Sequence, residues 1–250
     1  MARTLLVLNW KMNPERLVDA ETLFTATKRI AHSSRGVGMV VCPPSLFLGA
    51  LRKKYDGEVL LGAQDVYHNM KGSHTGSISP DMLSSLNVKY VIVGHSERRR
   101  DGETDALVSQ KASAAIASHL TPIICIGEHE RSENGDHFAH IESQLIASLK
   151  GIPKAKAKNI VIAYEPLWAI GKMYSGAIGP LALQETVIFI RKILTKLFGR
   201  SVGMAIPVLY GGSVESKNIA ELLRGSKVSG FLIGHASLDA DELRAIVRAL

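Results

Sequence analysis

Short β-branched apolar runs alternate along this chain with stretches in which apolar residues recur every three or four positions. The runs are Leu5–Leu8, Val37–Cys42, Val59–Gly62, Tyr90–Val93, Pro122–Ile126, Ile160–Tyr164, Ile206–Tyr210 and Phe231–Ile233. Runs of this kind suit strands covered on both faces. Between them, Leu17, Ala20, Leu23, Phe24, Thr27, Ile30 and Ala31 form a helical stripe. Leu183, Val187, Ile190, Ile193, Leu194 and Leu197 form a second, Ile219, Leu222 and Leu223 a shorter third, and Leu243, Ile246, Val247 and Leu250 close the chain. These predict amphipathic helices packed on a sheet. About eight strand–helix units follow one another with no linker or low-complexity break. A repeat of roughly 30 residues allows an open doubly wound sheet or a closed barrel. The count and the length of 250 residues favour a single (β/α)8 barrel domain over residues 1–250. No GxGxxG follows the first strand and no P-loop is present, which argues against a nucleotide-binding open sheet.

Composition narrows the class. Apolar residues make up 46% of the chain, enough for a large core. No apolar run reaches 18 residues, so no membrane span is expected, and the N-terminal apolar stretch reads as a first strand rather than a signal peptide. Cys42 and Cys125 both fall in strand-like runs and are expected as buried reduced thiols, which fits a cytoplasmic protein. The net charge is +7. It reads either as a solvated basic surface or as attraction for an anionic ligand. The densest basic run, Arg98-Arg99-Arg100, has no aromatic-rich binding motif beside it, so no nucleic-acid partner is expected. Lys150–Lys158 reads as an exposed helix end and turn.

The chemistry gathers where the strands end. In a barrel of this type the active site lies at the C-terminal ends of the strands. Those positions hold Asn9 and Lys11, Gly94-His95-Ser96-Glu97-Arg98-Arg99, Gly127-Glu128, Glu165, Gly211-Gly212-Ser213 and Gly234-His235-Ala236-Ser237. Glu165 ends an apolar strand and is followed at once by Pro166 and an apolar loop carrying Trp168. A carboxylate held stiffly at a sheet's mouth suits proton abstraction next to a carbonyl. The glycines let backbone approach closely and aim several N–H groups at one place, as an anion site after strands seven and eight requires; tight turns are the alternative. Gly171 adds a third wall. Lys11 suits an anion or a polarised oxygen. His95 leads into a helix start whose N–H groups disfavour the imidazolium, so a neutral imidazole donor is expected. Glu97 reads as an ion-pair partner of Lys11 or as a capping residue, the first being favoured.

Asn9-Trp10-Lys11-Met12-Asn13, Gly94–Arg99, Ala163–Gly171 and Tyr210–Val214, in this order, resemble the triosephosphate isomerase family. Gly62-Ala63-Gln64-Asp65, Thr75-Gly76, Ile78-Ser79, Cys125–Glu128 and Ala236–Leu238 resemble it too. The likeness runs from residue 9 to about 238. It implies a TIM barrel and the cofactor- and metal-free interconversion of dihydroxyacetone phosphate and D-glyceraldehyde 3-phosphate, a cytoplasmic step of glycolysis and gluconeogenesis. The residue roles are the family's, carried over by resemblance. Glu165 is then the base and His95 the electrophile. Asn9 and Lys11 bind substrate and stabilise the enediolate. Gly171, Ser213, Gly234 and His235 bind the phosphate, with Glu97 in support. A homodimer is implied, built through the loop Asp65–Ser79 with Thr75 near the partner's active site. The expected partner is a small phosphorylated sugar, with neither nucleic acid nor membrane, and the +7 charge is expected to aid capture of the dianion.

Three positions depart from the family's pattern. His235 replaces a usual glycine and would matter if that position needed positive φ. The segment Lys172–Gly179 is about two residues longer than the usual hinge. Ser77 stands where a glutamate is common. Two other functions compete: an isomerase of a four-carbon keto-sugar phosphate, and a binding or adhesion protein that kept the fold and lost activity.

Overall fold

The computed structural model describes residues 4–55, 57–132, 134–169 and 178–250. Eight strands, β1 (Thr4–Asn9), β2 (Val37–Cys42), β3 (Val59–Ala63), β4 (Tyr90–Val93), β5 (Thr121–Ile126), β6 (Val161–Tyr164), β7 (Val208–Tyr210) and β8 (Gly230–Ile233), close into a barrel in sequence order. Every pairing is parallel, including β1 with β8. The α/β reading and the eight-unit count therefore hold. The helices are α1 (Leu17–His32), α2 (Ser45–Lys53), α3 (Pro80–Ser85), α4 (Ser96–Arg100), α5 (Asp105–Ala117), α6 (Asp136–Ser148), α7 (Pro180–Phe198), α8 (Arg200–Ala205), α9 (Ile219–Ser226) and α10 (Ala240–Ala249).

Strand seven is shorter than its apolar run. The Ile206 N–H is spent on the Val202 carbonyl at the end of α8, and Pro207 has no N–H to give a ladder. Pairing thus begins at Val208. The helical stripes bury as read, except that Leu17 and Leu197 lie towards solvent at the helix ends.

The strands divide their side chains by a period of two. Val7, Val40, Cys42, Ile92, Ile123, Cys125, Val161, Ala163, Leu209 and Leu232 form one buried cluster inside the barrel. Their neighbours, such as Leu6, Leu8, Ile162, Tyr164, Tyr210 and Phe231, join the larger core beneath the helices. This alternation sets up the site. Continuing the inward series by two residues gives Asn9 from Val7 at the end of β1 and, just past their strands, Glu165 from Ala163, Gly211 from Leu209 and Gly234 from Leu232.

Cys42 and Cys125 are buried and free. Among the described residues no helix is long and apolar enough to cross a membrane.

Candidate active site

Asn9, Lys11, His95, Glu165, Ser213, Gly234 and His235 line one cavity of about 290 Å3 at the C-terminal mouth of the barrel. Gly211, Gly212, Val214, Glu215, Leu232 and Ala236 complete its wall. Of the expected site residues, Gly171 lies outside the described residues, as does the segment Lys172–Ala177. Glu97 does not line the cavity but pairs with a residue that does.

Glu165 is nearly fully buried. Its N–H is held by the Ile126 carbonyl at 2.7 Å, so the strand ladder continues just far enough to fix its backbone. The Ser96 N–H donates to Oε2 at 3.1 Å, and His95 Nε2 lies 3.3 Å from Oε1. Burial holds the Glu165 carboxyl above the ordinary carboxylate range. His95, the Ser96 N–H, Lys11 and the Cys125 thiol pull it back in that order without cancelling the effect. A carboxylate poorly solvated and short of full compensation is a stronger base than one in water.

His95 caps the short helix α4. Its Nδ1 accepts the Glu97 N–H at 3.3 Å. That bond selects the tautomer whose proton sits on Nε2, the nitrogen facing Glu165 and the cavity. The neutral donor expected from the helix start is thus the form the hydrogen bonding supports.

Lys11 takes φ of 54°, in the left-handed region that non-glycine residues seldom occupy. The surrounding bonds explain how this is held. The Lys11 N–H donates to Asn9 Oδ1 at 3.1 Å, and Gln64 Nε2 donates to the Lys11 carbonyl at 2.7 Å. The ammonium reaches Glu97 Oε1 at 2.7 Å, the ion pair favoured over a capping contact. Burial works to raise the Glu97 carboxyl, yet the Lys11 hydrogen bond leads a set of attractions that bring it below its usual range. The Lys11 stem crosses Gly234, where an added Cβ would stand 3.3 Å from its Cε.

Glycines at this mouth make room for the base. A Cβ on Gly211 would meet Glu165 Cγ at 2.9 Å, and one on Gly127 would lie 1.9 Å from the Glu165 carbonyl oxygen. The second clash is with backbone and cannot relax through a rotamer. Gly127→Ala is therefore expected to displace the base by an ångström or so and lower kcat about 10²-fold. Steady-state kinetics on the purified variant checks this; unchanged kcat would show that Glu165 does not need its present backbone position.

His235 opens a 3₁₀ turn, His235–Leu238, and is not among the residues with positive φ. Histidine in place of glycine is accordingly compatible with this backbone. Ser213 Oγ donates to the Ala169 carbonyl at 3.0 Å, tying the seventh strand's loop to the sixth's. Beyond the cavity, Tyr164 Oη and Trp168 Nε1 both donate to Glu128 Oε1 at 2.8 Å, which anchors the start of the loop after Glu165.

A charge network behind His95, buried at Glu103 and Lys111 and reaching the surface at Arg98, has no counterpart in the sequence motifs. Glu103 Oε2 accepts the Gly94 N–H at 3.1 Å, while Lys111 Nζ lies 2.5 Å from Glu103 Oε1 and 2.6 Å from Asp65 Oδ1. Arg98 closes the set on Asp65 Oδ2 at 2.9 Å. Arg99 donates to the carbonyls of Gly94 and Cys125. Two of the three arginines in the basic run are thus structural. No short motif marks Glu103 or Lys111. The one signal was a lysine on the apolar side of a helix rich in alanine.

The fold places this chain among the (β/α)8-barrel enzymes, whose active sites lie at this end of the barrel. A sequence model described as triosephosphate isomerase matches residues 4–250. Similar proteins include the triosephosphate isomerases of Rhodopirellula baltica, 42% identical over 100% of this chain and 98% of the relative, and of Dehalococcoides mccartyi, 41% identical over 99% and 97%. That of Carboxydothermus hydrogenoformans is 40% identical over 99% of each chain. The chain belongs to the triosephosphate isomerase family and so to the isomerases.

Proposed function

We propose that the chain interconverts dihydroxyacetone phosphate and D-glyceraldehyde 3-phosphate, as an enzyme of glycolysis and gluconeogenesis, with Glu165 as base and His95 as electrophile. The observation that carries this is the convergence of Glu165, the Nε2 side of His95 and the Lys11 ammonium on one glycine-walled cavity. Substrate enters between Glu165 and His95 and replaces their mutual contact. Glu165 takes a proton from the carbon beside the carbonyl. The C–H electron pair becomes the enediolate double bond and the carbonyl electrons move onto oxygen. The His95 Nε2–H and the Lys11 ammonium meet that oxygen's charge, with Asn9 beside them. The hydroxyl proton on the first carbon's oxygen then passes to the former carbonyl oxygen by way of the His95 Nε2 side, and Glu165 returns its proton to the adjacent carbon: the double-bond pair forms the new C–H bond as the first carbon's oxygen becomes the aldehyde carbonyl. Fixed donors aimed at developing charge are worth about 2.7–4 kcal/mol each. Backbone N–H groups at Ser213, Gly234 and His235, with Gly171, hold the phosphate, which supplies binding energy rather than chemistry.

Residues 1–250 act as one catalytic domain in the cytoplasm, paired as a homodimer through the loop Asp65–Ser79. Met12, Leu46 and Met82 support the pairing. They are 91%, 83% and 59% exposed, Met12 on the connection from β1 to α1 and Leu46 and Met82 in the first turns of α2 and α3, at the mouth end of the barrel. Exposed methionines and leucine clustered in this way are expected to be covered by a second copy. A coupled assay with both triose and four-carbon keto-sugar phosphates, run beside equilibrium sedimentation, tests the reading. Expected are kcat/KM strongly favouring the triose and a dimer that Met12→Arg converts to monomer. Preference for the four-carbon sugar overturns the substrate, and a fully active monomeric wild type overturns the pairing.

A further inference from the structure

The chain's positive excess is not at the active site. The connections that lead from strand ends into helices, which build the mouth, carry nine Lys and Arg against eleven Asp and Glu. The connections that lead from helices into strands carry nine Lys and Arg against only Asp56 and Glu58. That excess equals the excess of the whole chain, 30 against 23. The loop residues thus concentrate positive charge at the end of the barrel away from the mouth.

These cations form a ring. All eight strands run parallel in one closed barrel, so the connections into them emerge at one end, spread around its rim. Arg35, Lys54, Lys89, Arg200, Lys227 and the lysines of Lys150–Lys158 occupy six of those connections, and all are exposed. Among the described residues only Lys54 has an ion-pair partner, Glu21 at 3.5 Å. Helix dipoles account for cations in last turns such as Arg29, Lys53 and Arg248. They also reach Lys54 and Lys227, which cap α2 and α9, and Lys156 and Lys158 in the last turn of a 3₁₀ helix, but not Arg35, Lys89 or Lys154. Arg200 even opens a helix, where the dipole opposes it.

We propose that this ring is a docking face for an anionic lipid bilayer. A ring of mostly unpaired, mostly lysine cations at one end of the barrel engages a flat anionic surface all at once, whereas a rod of nucleic acid would cross only part of it. The one tyrosine, phenylalanine or tryptophan in these connections is the half-buried Tyr55, so no platform for stacking bases exists. Met204 is the one large apolar side chain exposed there, so attraction is electrostatic and not insertional. The mouth at the opposite end stays open to solvent. A surface contact of this kind needs no membrane-spanning segment. This inference is independent of the residue roles proposed above.

Vesicle co-sedimentation of the full chain tests it. Vesicles of phosphatidylcholine with about 30% phosphatidylglycerol are expected to bind the protein at low salt and release it by about 300 mM, and pure phosphatidylcholine not to bind it. Lys154→Glu/Lys156→Glu/Lys158→Glu and, across the ring, Arg35→Glu/Lys227→Glu are each expected to weaken binding about tenfold or more, with kcat/KM in solution unchanged. No binding to the anionic vesicles, binding unaffected by either variant, or tighter binding to duplex RNA at equal salt would overturn it.

Discussion

Replacing Glu165 by glutamine is expected to lower kcat by about 10²–10⁴-fold, the range of a positioned general base, while KM changes little. The same substitution is expected to raise stability at neutral pH. The sign follows from burial. The Glu165 carboxyl titrates above its unfolded value, desolvation being the leading cause. Between the unfolded and folded values the native state holds the proton that the unfolded state has lost, so stability declines as pH rises through that window. Above the window the full cost of an ionised, buried carboxylate is present. Glutamine does not titrate and lacks that decline. The wild type's kcat/KM should correspondingly fall on the acid side at a pH above that of an ordinary glutamate. Thermal melts at acid and neutral pH, with rate profiles over the same range, check both effects. A variant less stable than wild type at neutral pH would show that the glutamate's contacts outweigh its burial.

Lys111→Met is expected to be the most damaging change outside the cavity. Lys111 and Glu103 are 4% and 3% exposed at their side chains, and the ammonium is the shared partner of Glu103 and Asp65. Removing one member of a buried pair strands the other's charge, at a cost of about 3–5 kcal/mol. Glu103 also holds the Gly94 N–H, directly before His95. The loss should therefore reach the imidazole as well as the stability. Adding Glu103→Gln in the double variant removes the stranded charge and is expected to recover part of the loss. Urea unfolding at fixed protein concentration measures this. A loss below about 1 kcal/mol would place the pair with exposed ion pairs, which contribute little.

The eight strands were legible because each is an unbroken apolar run, and the closed order followed from their number. The same property hid the orientation of individual side chains. A strand buried on both faces shows no alternation in hydrophobicity, so the inward register of Ala163 and Glu165 emerges only from the paired barrel. Asn9, Lys11, His95 and Glu165 could be read because polar residues directly after apolar strands stand out. Gly211 could be read as a turn, but its contact with Glu165 Cγ is a tertiary fact with no local trace. Glu103, Lys111 and Asp65 belong to three separate segments, and charged residues in a sequence carry no mark of burial. The direction of the net charge was invisible for a related reason. Composition gives a sum, and only the barrel's closure divides that sum between its two ends.

Deuterium uptake measures the proton transfer assigned to Glu165 apart from net turnover. The purified protein is incubated with dihydroxyacetone phosphate in D2O and the carbons flanking the carbonyl are followed by NMR. The wild type is expected to wash deuterium into the substrate carbon while forming the aldose, and Glu165→Gln is expected to do neither on the same timescale. Deuterium entering the substrate at the wild-type rate in Glu165→Gln would contradict the assignment and place the base elsewhere in the cavity.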